Sequence, residues 1–384
     1  MSGLFDAAFD RVAARLGGHL DRVLRETAEA SNLLEELLLL PQERRRERVR
    51  SEPRFRLLKL CGRLEAASRA AWGEDPAAAV EMAELAVEVA ERLDPGVYGK
   101  TLVRDACALA WAYLGNARRI ASDLGGAEEA LSQAGRLYRC FEADLLTQAE
   151  ILVFQASLRN TQGRFAEAAG LLDHALCLYR EAGDRHQEGR TLILKGMVLG
   201  DGGDFAAAVE SLAEGLPCID PAAEPRLLLV AHHNLAWHLC DHGKHREAAA
   251  ALERSRRLYL ELGSRMDLVR LRWLEGRIAL GLGRPDEAMT ALGLARDAFL
   301  EQEIGVDAAL VSLDLAMAHA RQGDTAGVQR IVSEIVPVFQ ACRVEPEALA
   351  SLLLLRDAEQ AGQAEAILEN LAVCLRRAGR QRSR

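Results

Sequence analysis

Five of the nine histidines fall within "HHNLAWHLCDHGKH", residues 232–245, together with Cys240 and Asp241. Imidazole, thiolate and carboxylate groups this dense could ligate a metal or move protons. His238 and His242 stand at i and i+4, the spacing of the paired zinc ligands in HEXXH. That motif requires a glutamate directly after its first histidine, and Leu239 stands there. On a helix His233 would lie roughly 140–180° around the axis from both, so no third ligand follows. No Ser/His/Asp or Cys/His arrangement appears at a recognisable spacing either. These residues predict neither metal nor cofactor nor enzymatic activity, and their roles must come from the elements that carry them.

Those elements repeat. "TQGRFAEAAG", "DGGDFAAAVE", "DHGKHREAAA", "GLGRPDEAMT" and "RQGDTAGVQR" begin at 161, 201, 241, 281 and 321, a constant period of 40 residues. Gly163, Gly203, Gly243, Gly283 and Gly323 share the third place. Glycine after an apolar helical run is a C-cap, because it enters the left-handed region without a Cβ penalty. Each unit is therefore a helix, a glycine turn and a second helix. "GDGGD" (200–204) is such a turn, lacking the partners of a phosphate or calcium loop. Small residues recur at Ala168, Ala208, Ala248 and Ala288, with Val328 the exception, then at Ala175, Gly215, Ser255 and Ala295. In the first helices they recur at Ala156, Gly196, Ala236, Gly276 and Ala316, where they allow close helix approach.

"WAYLG" supplies Trp111, Leu114 and Gly115, followed by Ala127 and Ala134 at the proper distances. This pattern resembles the tetratricopeptide repeat in its long-unit form, as in kinesin light chains and bacterial signalling regulators. The family's tyrosine is missing from that unit, where Arg118 stands. The resemblance covers residues 55–378 and implies an all-α, right-handed α-solenoid of about seven to eight helix-turn-helix hairpins. Residues 1–54 read as an N-terminal extension of two amphipathic helices and a charged connector, "PQERRRERVRSEP". The helices either cap the solenoid or dock a partner through "NLLEELLLL". Residues 379–384 form a basic tail.

The resemblance also implies that certain first-helix positions line a concave groove, and the register places residues there. They are Asn116 and Arg119, then Arg190 and Met197, His233 and Trp237, Arg270, Trp273 and Arg277, and Arg321. His232 and His245 instead fall in packing columns. Tryptophan and arginine are enriched at binding hot spots, and arginine grips carboxylates bidentately. The implied function is a non-enzymatic interaction scaffold holding a partner peptide or helix of acidic, partly apolar character. Two readings stay open beside it: the tryptophans could simply pack between first helices, or the chain could be a bacterial peptide-responsive regulator acting through a separate output protein.

Composition sets limits on all of these. The 384 residues are 49% hydrophobic but only 5% aromatic, with a formal net charge of −9, which argues against a nucleic-acid footprint. The eight cysteines lie at least 22 residues apart, so no CxxC site exists. No run approaches the ~18 apolar residues of a membrane span, and the first residues do not read as a signal peptide. A cytoplasmic location is expected.

Overall fold

In the computed structural model, the described residues are 24–138, 144–341, 351, 367 and 368. The expectations for a helix near residues 4–16, for most of the final degenerate repeat at 345–378 and for the tail at 379–384 lie outside them. Every regular element among the described residues is helical.

The helices gather into two compact units. The first holds α1 (24–39), α2 (Gln42–Ser51), α3 (Leu58–Ala71), α4 (Pro76–Ala90), α5 (Pro95–Tyr98), α6 (Lys100–Ile120), α7 (Leu124–Tyr138) and α8 (Leu145–Thr161). The second holds α10 (Arg185–Gly202), α11 (Phe205–Gly215), α12 (Pro225–Asp241), α13 (His245–Leu262), α14 (Arg265–Gly281), α15 (Pro285–Glu301), α16 (Gly305–Arg321) and α17 (Thr325–Ala341). Residues of α9 (Phe165–Ala182) are divided between the two.

Within each unit, hairpins stack so that successive first helices touch: α3 on α6 and α6 on α8, then α10 on α12, α12 on α14 and α14 on α16. The turn glycines explain the period. Gly163, Gly203, Gly243, Gly283 and Gly323 all have φ between 73° and 89°. After Gly203, Asp204 caps α11 by accepting from the Ala207 amide at 3.1 Å, so "GDGGD" is a helix-to-helix turn. The small columns are the seams. A Cβ on Gly115, Gly196 or Gly276 would come within 2.6 Å of Leu131, Leu212 or Leu292 on the paired helix.

The charged connector is itself a helix, α2. It has almost no apolar stripe beyond the buried Val49, so periodicity gave no sign of it. Its arginines instead reach α4, where Arg45 meets Glu81 at 3.0 Å, Arg46 meets Glu84 at 3.0 Å and Arg50 meets Glu88 at 2.8 Å. Ala30, Leu33 and Leu37 of α1 share the core of α3, α4 and α6.

Candidate binding surface of the first helices

In the second unit, α12, α14 and α16 bring together an aromatic and charged cluster. The Trp237 and Trp273 rings meet edge to face at 4.9 Å. The Arg277 guanidinium lies 4.4 Å over the Trp237 ring, and its Nη2 donates to Asp241 Oδ1 at 2.7 Å. Its Nε stands 3.7 Å from Asp314 Oδ2, which also accepts from Trp273 Nε1 at 2.7 Å. Trp237, Trp273 and Arg277 are all buried, at 6%, 6% and 8% exposure. Burial opposes the Arg277 charge, but Asp241 and Asp314 outweigh it and hold the guanidinium charged. The cluster continues through His233, whose Nδ1 is 2.8 Å from the Tyr259 hydroxyl and whose ring lies 5.7 Å from Trp237.

The histidine-rich stretch separates by position. His238 is 1% exposed, stacks on Phe205 at 6.2 Å and fills the space beside Gly200. His242 follows the end of α12 and is exposed, so the i, i+4 pair does not share an environment. Among the described residues, no group of three or more His, Cys, Asp or Glu side chains is placed to hold a metal. His232 and His245 are half-buried, and burial disfavours the charge on both. His245 sits against Gly281, as Phe165 sits against Gly202, which gives the ring column at the start of the second helices its purpose.

The remaining groove candidates of this unit are less enclosed. Arg190 is ion-paired with Glu224, and Met197 is half-buried against the core. Arg270 and Arg321 are exposed, Arg321 donating to the Leu280 carbonyl at 2.7 Å.

In the first unit, Asn116 is 2% exposed and its Oδ1 accepts from Arg119 Nε at 3.0 Å, while Arg119 Nη1 reaches Thr161 Oγ1 at 3.3 Å. The Asn116 carbonyl oxygen is thus engaged within the first unit. Beside it, Tyr113 donates to Glu150 Oε1 at 2.8 Å, and Arg69 pairs with the same carboxylate beneath the edge-to-face rings of Trp72, Tyr113 and Phe154.

Sequence reasoning missed Asp314, which braces both Trp273 and Arg277. It falls in a first-helix column that the groove register omits. Tyr259 was missed because it lies on a second helix, and only its ring in a packing stripe distinguished it.

Solved structures share the helical fold. Aspartyl phosphate phosphatase F from Bacillus subtilis is similar at a TM-score of 0.55 and 14% identity, over 72% of this chain and 68% of that one. A Rap protein complexed with competence and sporulation factor gives 0.55 at 12%, over 82% and 85%. NprR in complex with its cognate peptide NprX gives 0.53 at 15%, over 77% and 81%. The chain has the fold of a tetratricopeptide-type repeat protein. Neither a family model nor a curated protein matches it. The repeat reading of the glycine and small-residue columns therefore stands, and no described helix is long and apolar enough to cross a membrane.

Proposed function

We propose that the protein is a non-enzymatic scaffold whose first-helix face in the second unit binds a peptide or helix of a partner protein. The observation that carries this reading is the placement of Arg270 and Arg321. Both are exposed, at positions of α14 and α16 that the repeat register assigns to a groove, on the run of first helices that carries Trp237, Trp273, Arg277, Asp241 and Asp314. A rigid helix face lowers the ordering cost of binding, and exposed guanidinium groups favour an acidic, carboxylate-bearing partner. Arg277 acts within that run, its own carboxylate partners being internal. A cytoplasmic setting is part of this reading.

A peptide-responsive regulator acting through a separate output protein is the second reading. It is supported by two similar folds, the Rap protein and NprR, each of which is complexed with a small factor or peptide.

The test is affinity capture from host lysate by the full chain and by an Arg270→Glu, Arg321→Glu variant with unaltered melting. A partner recovered by the former and lost from the latter supports the groove reading. Equal recovery by both removes it from this face.

A further inference from the structure

The first unit contains a cavity of about 450 Å³ between α1, α3, α6 and α8, within the size range of small-ligand sites. Its lining has an apolar part and a cationic part. Leu58, Ala106 and Leu109 are half-buried wall, and Leu102 lines the same space while remaining 46% exposed. Lys59 and Arg63 also line it and are exposed, so their charged ends stand on the solvent side. They lie at i and i+4 of α3, side by side on one helix face. Like charges at this spacing repel, and among the described residues neither has an ion-pair partner. Elsewhere in the unit, Arg45, Arg46 and Arg50 are each paired with a glutamate of α4. The two acids of the cavity leave an anion at this rim unopposed. Asp105 lies 3.5 Å from the Arg104 guanidinium, which balances its charge. Glu65 accepts from the Cys61 thiol at 3.4 Å, and burial pushes its carboxyl up to about 8, so it is neutral at physiological pH.

We propose that this cavity binds a medium-chain alkyl carboxylate, its head group held between Lys59 and Arg63 and its stem laid against Leu58, Leu102, Ala106 and Leu109. Arginine grips a carboxylate through paired N–H donors, and lysine adds a point charge. Exposed ion pairs contribute little alone, so the stem supplies most of the affinity. Each methylene removed from water then raises affinity about fourfold. The site uses no residue of the Arg270 and Arg321 face and does not depend on that reading.

The experiment titrates the full-length chain calorimetrically with sodium hexanoate, sodium octanoate and n-octylamine, all below micelle-forming concentrations. Octanoate should bind one per chain, roughly tenfold tighter than hexanoate, since two methylenes separate them. Octylamine, with the same stem and the opposite charge, should bind at least tenfold more weakly than octanoate. This comparison decides the head group on the parent chain, without any variant. A Lys59→Glu, Arg63→Glu variant, altered only at exposed positions, should lose at least tenfold in octanoate affinity. Ala106→Leu, which fills the cavity from α6 with a good helix former, should lose as much. No octanoate binding, octylamine or hexanoate binding as tightly as octanoate, or full binding by either variant would overturn the proposal.

Discussion

Trp273 on α14 and Asp314 on α16 are joined by a 2.7 Å hydrogen bond, and both side chains are buried. Because Arg277 lies beside the same carboxylate, Asp314 ties together two repeats and balances a buried cation. Asp314→Ala leaves an indole N–H and part of a guanidinium without acceptors, a loss of roughly 3–5 kcal/mol by the usual cost of breaking a buried pair. Asp314→Asn retains an acceptor and should lose less than half as much. Urea unfolding of both variants checks the order; equal losses would mean the carboxylate charge, rather than the hydrogen bond, dominates.

Gly200 and His238 form a second cross-repeat relationship. A Cβ on Gly200 would come within 2.1 Å of the His238 ring. Gly200→Ala should therefore destabilise by about 1–3 kcal/mol despite alanine's higher helix propensity. In the presence of His238→Ala the same substitution should turn neutral or stabilising. Thermal unfolding of the two single variants and the double variant measures this coupling, and strict additivity would disprove it.

Much of this was legible in advance. Glycine and small-residue columns are set by backbone geometry and close approach, so a regular spacing reveals them directly, as at Gly203 and Ala208. The groove register gave no sign of burial. Trp273 and Arg277 are buried because their polar tips meet Asp314 and Asp241 on the neighbouring first helices, and Trp237 is buried beneath the Arg277 guanidinium. Helix α2 was illegible because interhelix ion pairs, rather than an apolar stripe, anchor it. Glu65 and Asp105 were illegible because nothing in a charged residue's local sequence marks it as buried.

Glu65 gives a pH dependence of defined sign. Its carboxyl is held at about 8 in the folded chain against an ordinary value of 4.5, chiefly by burial. Below 4.5 it is protonated in both states and costs nothing. Between 4.5 and about 8 the unfolded chain ionises and the folded chain does not, so stability falls; above that the penalty is constant. At 1.36 kcal/mol per pKa unit its upper bound is about 5 kcal/mol. Glu65→Gln should therefore match the parent chain near pH 4.5 and gain progressively over it up to pH 8. A difference in melting temperature that is flat across this window would show that Glu65 ionises normally.

The turn between α6 and α7 departs from the glycine rule of the later repeats. Ser122 occupies the left-handed region with φ of 65°, and its side chain is exposed. For a residue with a Cβ this conformation costs roughly 1–2 kcal/mol. Glycine removes that cost but gains about 0.4–1 kcal/mol of unfolded-state entropy in the opposite direction. The first effect is the larger, so Ser122→Gly should stabilise by about 0.5 kcal/mol. Gly243, with φ of 77° and open space where a Cβ would stand, is the reciprocal case. There Gly243→Ala should destabilise by about the same amount, since backbone conformation alone is at stake. Opposite signs for the two substitutions in denaturant unfolding would establish that the turn conformation, and not the packing around it, fixes glycine in this column. Matching signs would refute it.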